Sequence, residues 1–547
     1  MTGRTKGSSG IASVLVLALT LATGAIMALA APVPASVKIV PLISASTLVT
    51  ARVLLNKVKN RITVYEVDDT LVYLVTHMYA VSTGKPPKKR LFELQTVAGG
   101  YGNYDRILRR IAVLAVDWGY GFAKAIRAVL PEVRNKVFRD FLLRLGELLN
   151  LGEDPELFLD VERRALMTEF QAHYGRLLEA AKLILGIYSS GVSSAIFLVV
   201  TFMIFTFLFS VPPESIILVF IGVVTALAGL VYLLYRMLPR DRVTHTLDVY
   251  PPERVRYRIL LVIGLALSIA LGLLAYAKFR DPSIAMGLGA LPLLLPGLYA
   301  RRIEKKIREI ESFFPIFLRS FGITYSTVPH VPTALSSVLR SDYGPLTPYL
   351  RRLLARFTMG IDPKVCWYKF IGDTWSEIVR RNVNVLYDAI DVNGNMSKVG
   401  TVLSETTFRI IDIRKQRVQV TKAFESTIYI VHTLFSAILT FTLVLLEIFH
   451  SIITAMQSVS SEIVRILPFV PPPVGMMSAV TPILIVTLAV INAIAIKVAQ
   501  GGMYETVWIP LSMLLMVSGA VVWGARAVTE ALFSQLLTFQ ELIRGLG

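Results

Sequence analysis

Hydrophobic residues form nine stretches along the chain, each close to the ~20 residues that an α-helix needs to cross a bilayer. The first is 11–31 and the second is a weaker run at 37–55. Seven more follow, at about 191–211, 214–235, 259–277, 283–300, 426–448, 475–497 and 506–524. The pattern predicts a polytopic membrane protein with about nine transmembrane helices, the first two lying within 1–55.

The beginning of the chain permits a second interpretation. Arg4 and Lys6 precede the first apolar run, and small residues around Ala30 and Ala31 end it. A cleavable signal peptide has the same features. Cleavage after this run therefore stays an open alternative to a first transmembrane helix.

Two long segments, 56–190 and 301–425, are too polar to span a bilayer and too apolar to be disordered. Their apolar positions recur at helical spacing, with little of the strict alternation that marks a half-buried strand. We therefore predict two helical-bundle domains. The remaining divisions are a transmembrane hairpin at 191–235, a basic loop at 236–258, a second hairpin at 259–300, and C-terminal membrane helices with interfacial segments at 426–547, including an amphipathic stretch at 450–468.

Capping signals predict where helices begin and end. Pro131 is suited to the first position of a helix that ends at Gly152. Asp154 and Pro155 then suit the N-cap and first position of a new helix. Its apolar spacing continues into the run at 191, which predicts one helix from the polar domain into the membrane.

The second polar segment repeats features of the first at a constant separation of 242 residues. YGNYDRILRR at 101–110 and YGPLTPYLRR at 343–352 share five of ten residues. Gly394 corresponds to Gly152, and TWSE at 374–377 resembles a capping box near the position of Pro131. A helix from about Ser397 again runs toward a span. A constant offset predicts a duplicated domain.

Composition and charge agree with a membrane protein. Hydrophobic residues make up 54% of the 547 and charged residues 17%, with a mean hydropathy of +0.61. The net charge is +18, and 16 of these charges come from the excess of Lys and Arg in 52–190, 236–258 and 301–425. Basic loops tend to stay in the cytoplasm. The N-terminus and both polar domains are therefore predicted to be cytoplasmic, in a multi-pass protein of the cell membrane.

Motifs for catalysis are missing from the sequence. It contains no GxxxxGK[ST], HExxH, CxxC or GxSxG, and its single cysteine is Cys366. We therefore predict no nucleotide hydrolysis, no catalytic site, no cofactor and no metal.

Three weaker acidic signals have ordinary explanations. Asp68 and Asp69 suit a helix start better than a metal pair. DVNGN at 391–395 lacks the Glu that a calcium loop needs, and fits an interhelical turn. Glu447 and His450 share a helix face near the outer end of a span, where contact with lipid headgroups is favoured over a proton path.

Basic clusters lie deep inside the two polar domains, whereas attraction to lipid would place them beside the membrane. We predict that they dock an acidic cytoplasmic partner. The candidate residues are Lys88, Lys89, Arg90, Arg109, Arg110, Arg139, Arg144, Arg351, Arg352, Arg380 and Arg381.

The alternation of basic helical domains and membrane helices resembles the type II secretion system F-domain family, especially large archaeal members of the archaellum, type IV pilus and Tad-like assembly machines. Matching stretches are YAVSTGKPPKKRLFE at 79–93, YSTVPHVPTAL at 325–335, where Ser326 replaces the usual glycine, and FLLRLGELLNLGEDPELFL at 141–159.

The resemblance implies a membrane platform without enzymatic activity. Such proteins bind a hexameric secretion ATPase on the cytoplasmic side and pilin-like subunits in the membrane, often as homodimers, and they bind no nucleic acid. A polytopic transporter is the main alternative, although transporter repeats usually lie within the membrane. A membrane-bound enzyme that uses Asp68 and Asp69 is a third.

Overall fold

The computed structural model describes residues 67–209, 214–239, 241–459 and 473–533. Within them the chain is almost entirely α-helical, and the only β-type pairing is an isolated bridge between Thr244 and Ser376. The predicted all-α class is confirmed.

Helices of the first polar segment, residues 67–190, and of the membrane hairpin that follows begin and end as follows: α1 Asp69–Ser82, α2 Asn103–Ala112, α3 Phe122–Val129, α4 Lys136–Leu151, α5 Pro155–Leu208 and α6 Glu214–Met237. The next helices are α7 Glu253–Phe279, α8 Pro282–Ala290 and α9 Leu294–Thr327. The second polar segment, residues 301–425, and the C-terminal part add α10 Val331–Val338, α11 Thr347–Thr358, α12 Pro363–Thr374, α13 Glu377–Asp391, α14 Met396–Val459, α15 Val474–Gln500 and α16 Trp508–Leu532.

Seven helical stretches in the described residues are long and apolar enough to cross a membrane. Each of the seven runs predicted after residue 190 falls on one of them. The span predicted at 283–300 is α8, a 3-10 turn at Leu291–Leu293 and the start of α9. The runs at 11–31 and 37–55 lie outside the described residues.

Two helices run without a break from a polar segment into an apolar stretch, as predicted. Helix α5 has 54 residues and α14 has 64. The Asp154 side chain accepts a hydrogen bond from the Glu156 amide at the start of α5. Asn395 does the same for the Lys398 amide at the start of α14. The stretch predicted as interfacial from 450 continues α14 as far as Val459.

Two predicted helix starts were wrong. Residues Leu130–Glu132 form a 3-10 turn, and α4 begins only at Lys136 because Asn135 accepts a hydrogen bond from the Phe138 amide. In TWSE the cap is Ser376, which accepts from the Val379 amide. Hydroxyl and carboxamide oxygens satisfy the free amides of a first turn, which a proline ring cannot do.

Helix starts in the two polar segments keep a nearly constant separation. The pairs α3 and α12, α4 and α13, and α5 and α14 each begin 241 residues apart. The left-handed residues that precede α5 and α14, Gly152 and Asn393, have the same separation. The two segments therefore share one order of helices, shifted by one residue from the offset read in the sequence.

A continuous hydrophobic core joins the two segments to the membrane helices. Its largest buried side chains include Phe314, Phe317 and Trp367. Helices α9 and α14 approach closely where Gly322 faces Gly400, and a Cβ atom on Gly400 would lie 2.8 Å from the Gly322 Cα. Only glycine permits such a crossing, because any side chain would separate the backbones.

Candidate functional site

The junction between the two polar segments is built around Asp388 of α13, which is fully buried. From the first segment, Arg90 forms an ion pair with it, His77 Nε2 lies 2.9 Å from its Oδ2, and the Gln95 amide donates at 2.8 Å. His77 Nδ1 is 2.9 Å from the Tyr101 hydroxyl. Arg90 therefore neutralises a buried carboxylate of the other segment, which is the arrangement a buried charge requires.

Neighbouring Arg380 and Arg381 also point inward. Arg380 Nε donates to Glu377 at 2.7 Å and Arg381 Nε donates to the same carboxylate at 2.9 Å. Arg381 is also 3.0 Å from Asp69 of α1. Burial opposes ionisation of Glu377, but the two guanidinium groups outweigh it and lower the pKa of Glu377 to about 2. Both arginines thus serve the internal junction.

Asn384 fixes the loop that follows Arg90. Its Oδ1 accepts hydrogen bonds from the Val97 and Ala98 amides at 3.0 and 3.1 Å, and its Nδ2 donates to the Ala98 carbonyl at 3.0 Å. A buried side chain whose donors and acceptors are all used holds backbone in one place. The first segment is therefore fastened to α13 at several consecutive points.

Other predicted docking residues lie at the surface. Arg109, Arg139 and Arg351 are exposed. Arg110 pairs with Glu132 at 2.8 Å and Arg352 with Asp373 at 3.9 Å, both with exposed guanidinium groups. Exposed pairs of this kind contribute only about 0–1 kcal/mol. Their charge stays available to a partner.

Lys88, Lys89 and Arg144 bind neighbouring groups of the first polar segment. Lys88 Nζ donates to the Leu149 carbonyl at 3.0 Å, and Lys89 pairs with Asp117 at 2.9 Å. Arg144 binds both oxygens of Glu162 at 2.7 and 2.8 Å, which fastens α4 to α5.

A second buried network lies where the loop after α6 meets α14. Arg414 Nε is 2.7 Å from Asp241, and its Nη1 is 3.1 Å from Glu311 of α9. Burial alone raises the pKa of Asp241, but Arg414 and Arg308 outweigh that effect and hold it below its usual value. One turn along, Arg417 donates to the carbonyls of Val498, Ala499 and Pro239 at 2.7–2.9 Å. The bonds to Val498 and Ala499 satisfy carbonyls that the end of α15 leaves free.

Deeper in the apolar helices, a polar chain connects α5, α14, α15 and α16. The Tyr188 hydroxyl donates to Asn492 at 2.7 Å, Asn492 Nδ2 is 3.2 Å from His432 Nδ1, and His432 Nε2 is 2.9 Å from the Ser518 hydroxyl. All four side chains are buried. Sequence reasoning missed this cluster, although a lone His and a lone Asn in apolar helices were the available signal.

The weaker acidic signals have structural roles. Asp68 caps α1 by accepting from the Leu71 amide at 2.7 Å. DVNGN is the turn between α13 and α14, and Glu447 lies 3.2 Å from Arg526. Cys366 is buried, and burial raises the pKa of its thiol. Across the described ranges, no three His, Cys, Asp or Glu side chains are grouped to hold a metal ion.

These features define a helical membrane protein in which two polar segments of similar helix order are locked together and joined by long helices to an apolar bundle. The chain is similar to flagella accessory protein J of Methanocaldococcus jannaschii, with 26% identity over 447 residues and 78% of each chain covered. It is similar also to flagella accessory protein J of Methanococcus voltae, with 23% identity over 487 residues, covering 85% of this chain and 86% of the relative. No protein-family model matches the chain, and no solved structure does.

Proposed function

We propose that this protein is the membrane platform of an archaellum or a related type IV pilus-like filament machine. In this function the polar segments face the cytoplasm and receive a hexameric assembly ATPase, and the apolar helices guide pilin-like subunits from the bilayer into the filament. The observation that carries the proposal is similarity to two flagella accessory proteins over about four-fifths of the chain.

The long helices suggest how motion reaches the membrane. Helices α5 and α14 contain both a polar-segment half and an apolar half without a break. A force applied to the polar segments therefore acts directly on the membrane helices, because a continuous hydrogen-bonded helix transmits displacement along its axis.

We further propose that the two polar segments are copies of one unit, of the kind found in the F-domain family. The equal separation of three pairs of helix starts supports this proposal. The two copies have acquired different surroundings, because Arg380 and Arg381 of the second copy are enclosed by the junction.

Docking in this proposal uses five exposed basic residues: Arg109, Arg110, Arg139, Arg351 and Arg352. Arg144 is exposed as well, but it binds both oxygens of Glu162 and is left out. Their long-range attraction favours an acidic surface on the ATPase and weakens as salt screens it. In this proposal the partner supplies the nucleotide hydrolysis.

Deletion and binding together test the proposal. Deleting the gene in the source organism is expected to abolish filaments seen by electron microscopy, and the wild-type gene in trans is expected to restore them. The full chain in lipid nanodiscs should bind the purified assembly ATPase with an affinity that falls steeply between 50 and 500 mM salt, on the order of tenfold or more. Normal filaments in the deletion strain would refute the platform function.

A further inference from the structure

Each polar segment presents a short apolar loop to solvent. In the first, Trp118 and Tyr120 flank Gly119 and are 65% and 49% exposed. In the second, Met359 and Ile361 flank Gly360 and are 74% and 38% exposed. Single exposed apolar residues are ordinary, but Trp and Tyr together on one loop are typical of contact surfaces.

The two loops occupy equivalent positions. Trp118 and Met359 are 241 residues apart, which is also the separation of the helix starts that follow each loop. Gly119 and Gly360 both have φ of +70°, a left-handed conformation that favours glycine. The same backbone turn therefore exposes two large apolar side chains in each segment.

Both loops are held rigidly by their own backbone. The amides of Trp118, Tyr120 and Gly121 donate to carbonyls of the π-turn Val113–Asp117 at 3.1–3.2 Å. The amides of Met359, Gly360 and Ile361 donate back to the end of α11 at 3.1–3.3 Å. A preformed loop loses little entropy when it is bound.

Position argues against lipid as the occupant. Asp117, the residue before Trp118, pairs with Lys89. The adjacent Lys88 donates to the Leu149 carbonyl, close to the start of α5. From Pro155 to the predicted membrane entry at 191, α5 spans ~54 Å at 1.5 Å per residue. The second loop leads into α12, which packs on α13 and is joined to it by a two-residue link, so the start of α12 lies toward the end of α13. Helix α14 begins just beyond it and is ~45 Å from its own predicted entry at 426.

Charge indicates the chemistry of the partner. From α2 to α3 the chain has five Lys or Arg and two Asp, and from α11 to α12 it again has five and two. An apolar loop between two helices with an excess of basic residues fits an acidic protein surface with an apolar pocket.

We propose that the loops Trp118–Tyr120 and Met359–Ile361 are paired contact points for one soluble partner, an acidic face of the assembly ATPase. This inference rests on the proposed function and adds to it the apolar anchors that fix the partner at both polar segments. Two linked contacts also increase avidity, because the second forms at a high effective concentration.

The test uses the full chain in nanodiscs and the purified ATPase, with affinity measured by interferometry. We expect Trp118→Ala with Tyr120→Ala, or Met359→Ala with Ile361→Ala, to weaken binding about tenfold or more, and all four together to abolish it. Leu183→Ala is the matched control, because Leu183 of α5 is 71% exposed but lies outside both loops. Its affinity should equal that of the wild type.

The outcomes separate the two proposals. If the wild type does not bind the ATPase, the proposed function itself is refuted. If the wild type binds and the loop variants bind within about twofold of it, the function stands and the loop contacts are refuted.

Fluorescence provides a second measurement on the intact protein. ATPase addition should shift the emission of the wild type but not of Trp118→Phe, since Trp118 is the residue expected to be covered. In nanodiscs of brominated lipid, the fluorescence intensity lost to quenching should be the same in both proteins. Stronger quenching of the wild type would place the loop on the membrane and overturn the inference.

Discussion

Helices α5 and α14 begin alike and lead to the membrane alike, yet they differ in how deeply the protein encloses them. Half of the most apolar stretch of α14 is buried inside the protein, against 28% for α5. Helix α14 packs on α5, α9, α15 and α16, whereas α5 has its main contacts with α1, α6 and α14. Equivalent positions in sequence have therefore produced a central helix and a peripheral one.

Polar anchors follow the same division. Helix α14 carries Arg414, Arg417 and His432, each bonded to other parts of the protein in buried surroundings. Helix α5 shares only the Tyr188 end of the deeper polar chain. Two further polar contacts with α14, Glu156 with Lys398 at 2.7 Å and Gln171 with Arg409 at 3.0 Å, are exposed. Buried charges are costly to leave unpaired, so the comparison predicts that α14 is the fixed axis and α5 the helix more free to move.

The largest expected effect comes from removing an anchor of α14. Arg414→Leu leaves Glu311 buried without its guanidinium partner and leaves Asp241 with only Arg308, whose Nη2 is 4.0 Å away. Breaking a buried pair in this way costs about 3–5 kcal/mol. We expect a corresponding loss in the free energy of unfolding, measured by denaturant titration of the detergent-solubilised protein.

Arg409→Leu is the matched control, because Arg409 lies on the same helix and donates to Gln171 at an exposed site. Its expected cost is below about 0.5 kcal/mol. Equal costs for the two variants would contradict the central role assigned to α14.

Acid should weaken the segment that bears α14 through Glu377. Because the pKa of Glu377 is lowered from 4.5 to about 2 in the folded protein, its carboxylate stabilises the fold above pH 4.5, and this contribution is lost as the pH falls toward 2. The shift corresponds to about 3 kcal/mol. Glu377→Gln should therefore flatten the acid side of a plot of unfolding free energy against pH.

The comparison sharpens this prediction. In the first segment, the residue that corresponds to Glu377 is Lys136, at the start of α4. The exposed Glu405→Gln on α14 serves as control and should keep the wild-type acid profile. A profile unchanged by Glu377→Gln would show that Arg380 and Arg381 do not depend on this carboxylate.

Helix content and continuity were predictable because they depend on local pattern. Apolar periodicity through Leu166, Phe170 and Tyr174 predicted that α5 continues into the membrane, and Asp154 and Pro155 predicted its first turn. The two wrong starts, at Pro131 and TWSE, share a cause. Each has a second capping residue nearby, Asn135 or Ser376, and the sequence alone does not rank competing caps.

The direction in which the arginines point was not predictable from the sequence. Arg90 and Asp388 are 298 residues apart in the chain, and Arg381 meets Asp69 across a similar distance. An arginine on a helix surface has the same local pattern whether it meets solvent or a carboxylate of another segment. Arg109 and Arg351 are exposed, whereas Arg90, Arg380 and Arg381 lie at a junction that only the fold creates.

The smallest expected effect concerns the hydrogen bond from Tyr188 to Asn492, by which α5 joins the polar chain that includes His432. His432 lies seven residues further along α14 than Glu425, which accepts a hydrogen bond from Gln500. The polar chain at His432 is therefore ~10 Å further along the helix axis than that bond. Tyr188→Phe removes the donor to Asn492 but leaves the bond between Asn492 and His432. The expected cost is about 0.6 kcal/mol, the typical value for a hydrogen bond between membrane helices.

Asn492→Leu should cost more than Tyr188→Phe, because it breaks the links of α15 to both long helices. Unfolding in mixed micelles at increasing SDS compares the two variants directly, with Tyr276→Phe, on the exposed side of α7, as the control. Equal costs for Tyr188→Phe and Asn492→Leu would mean that the bond between Asn492 and His432 adds no stability. The polar chain would then hold α5 but not α14. The distinction between a fixed α14 and a more mobile α5 would then rest on the buried arginines, where Arg414→Leu tests it independently.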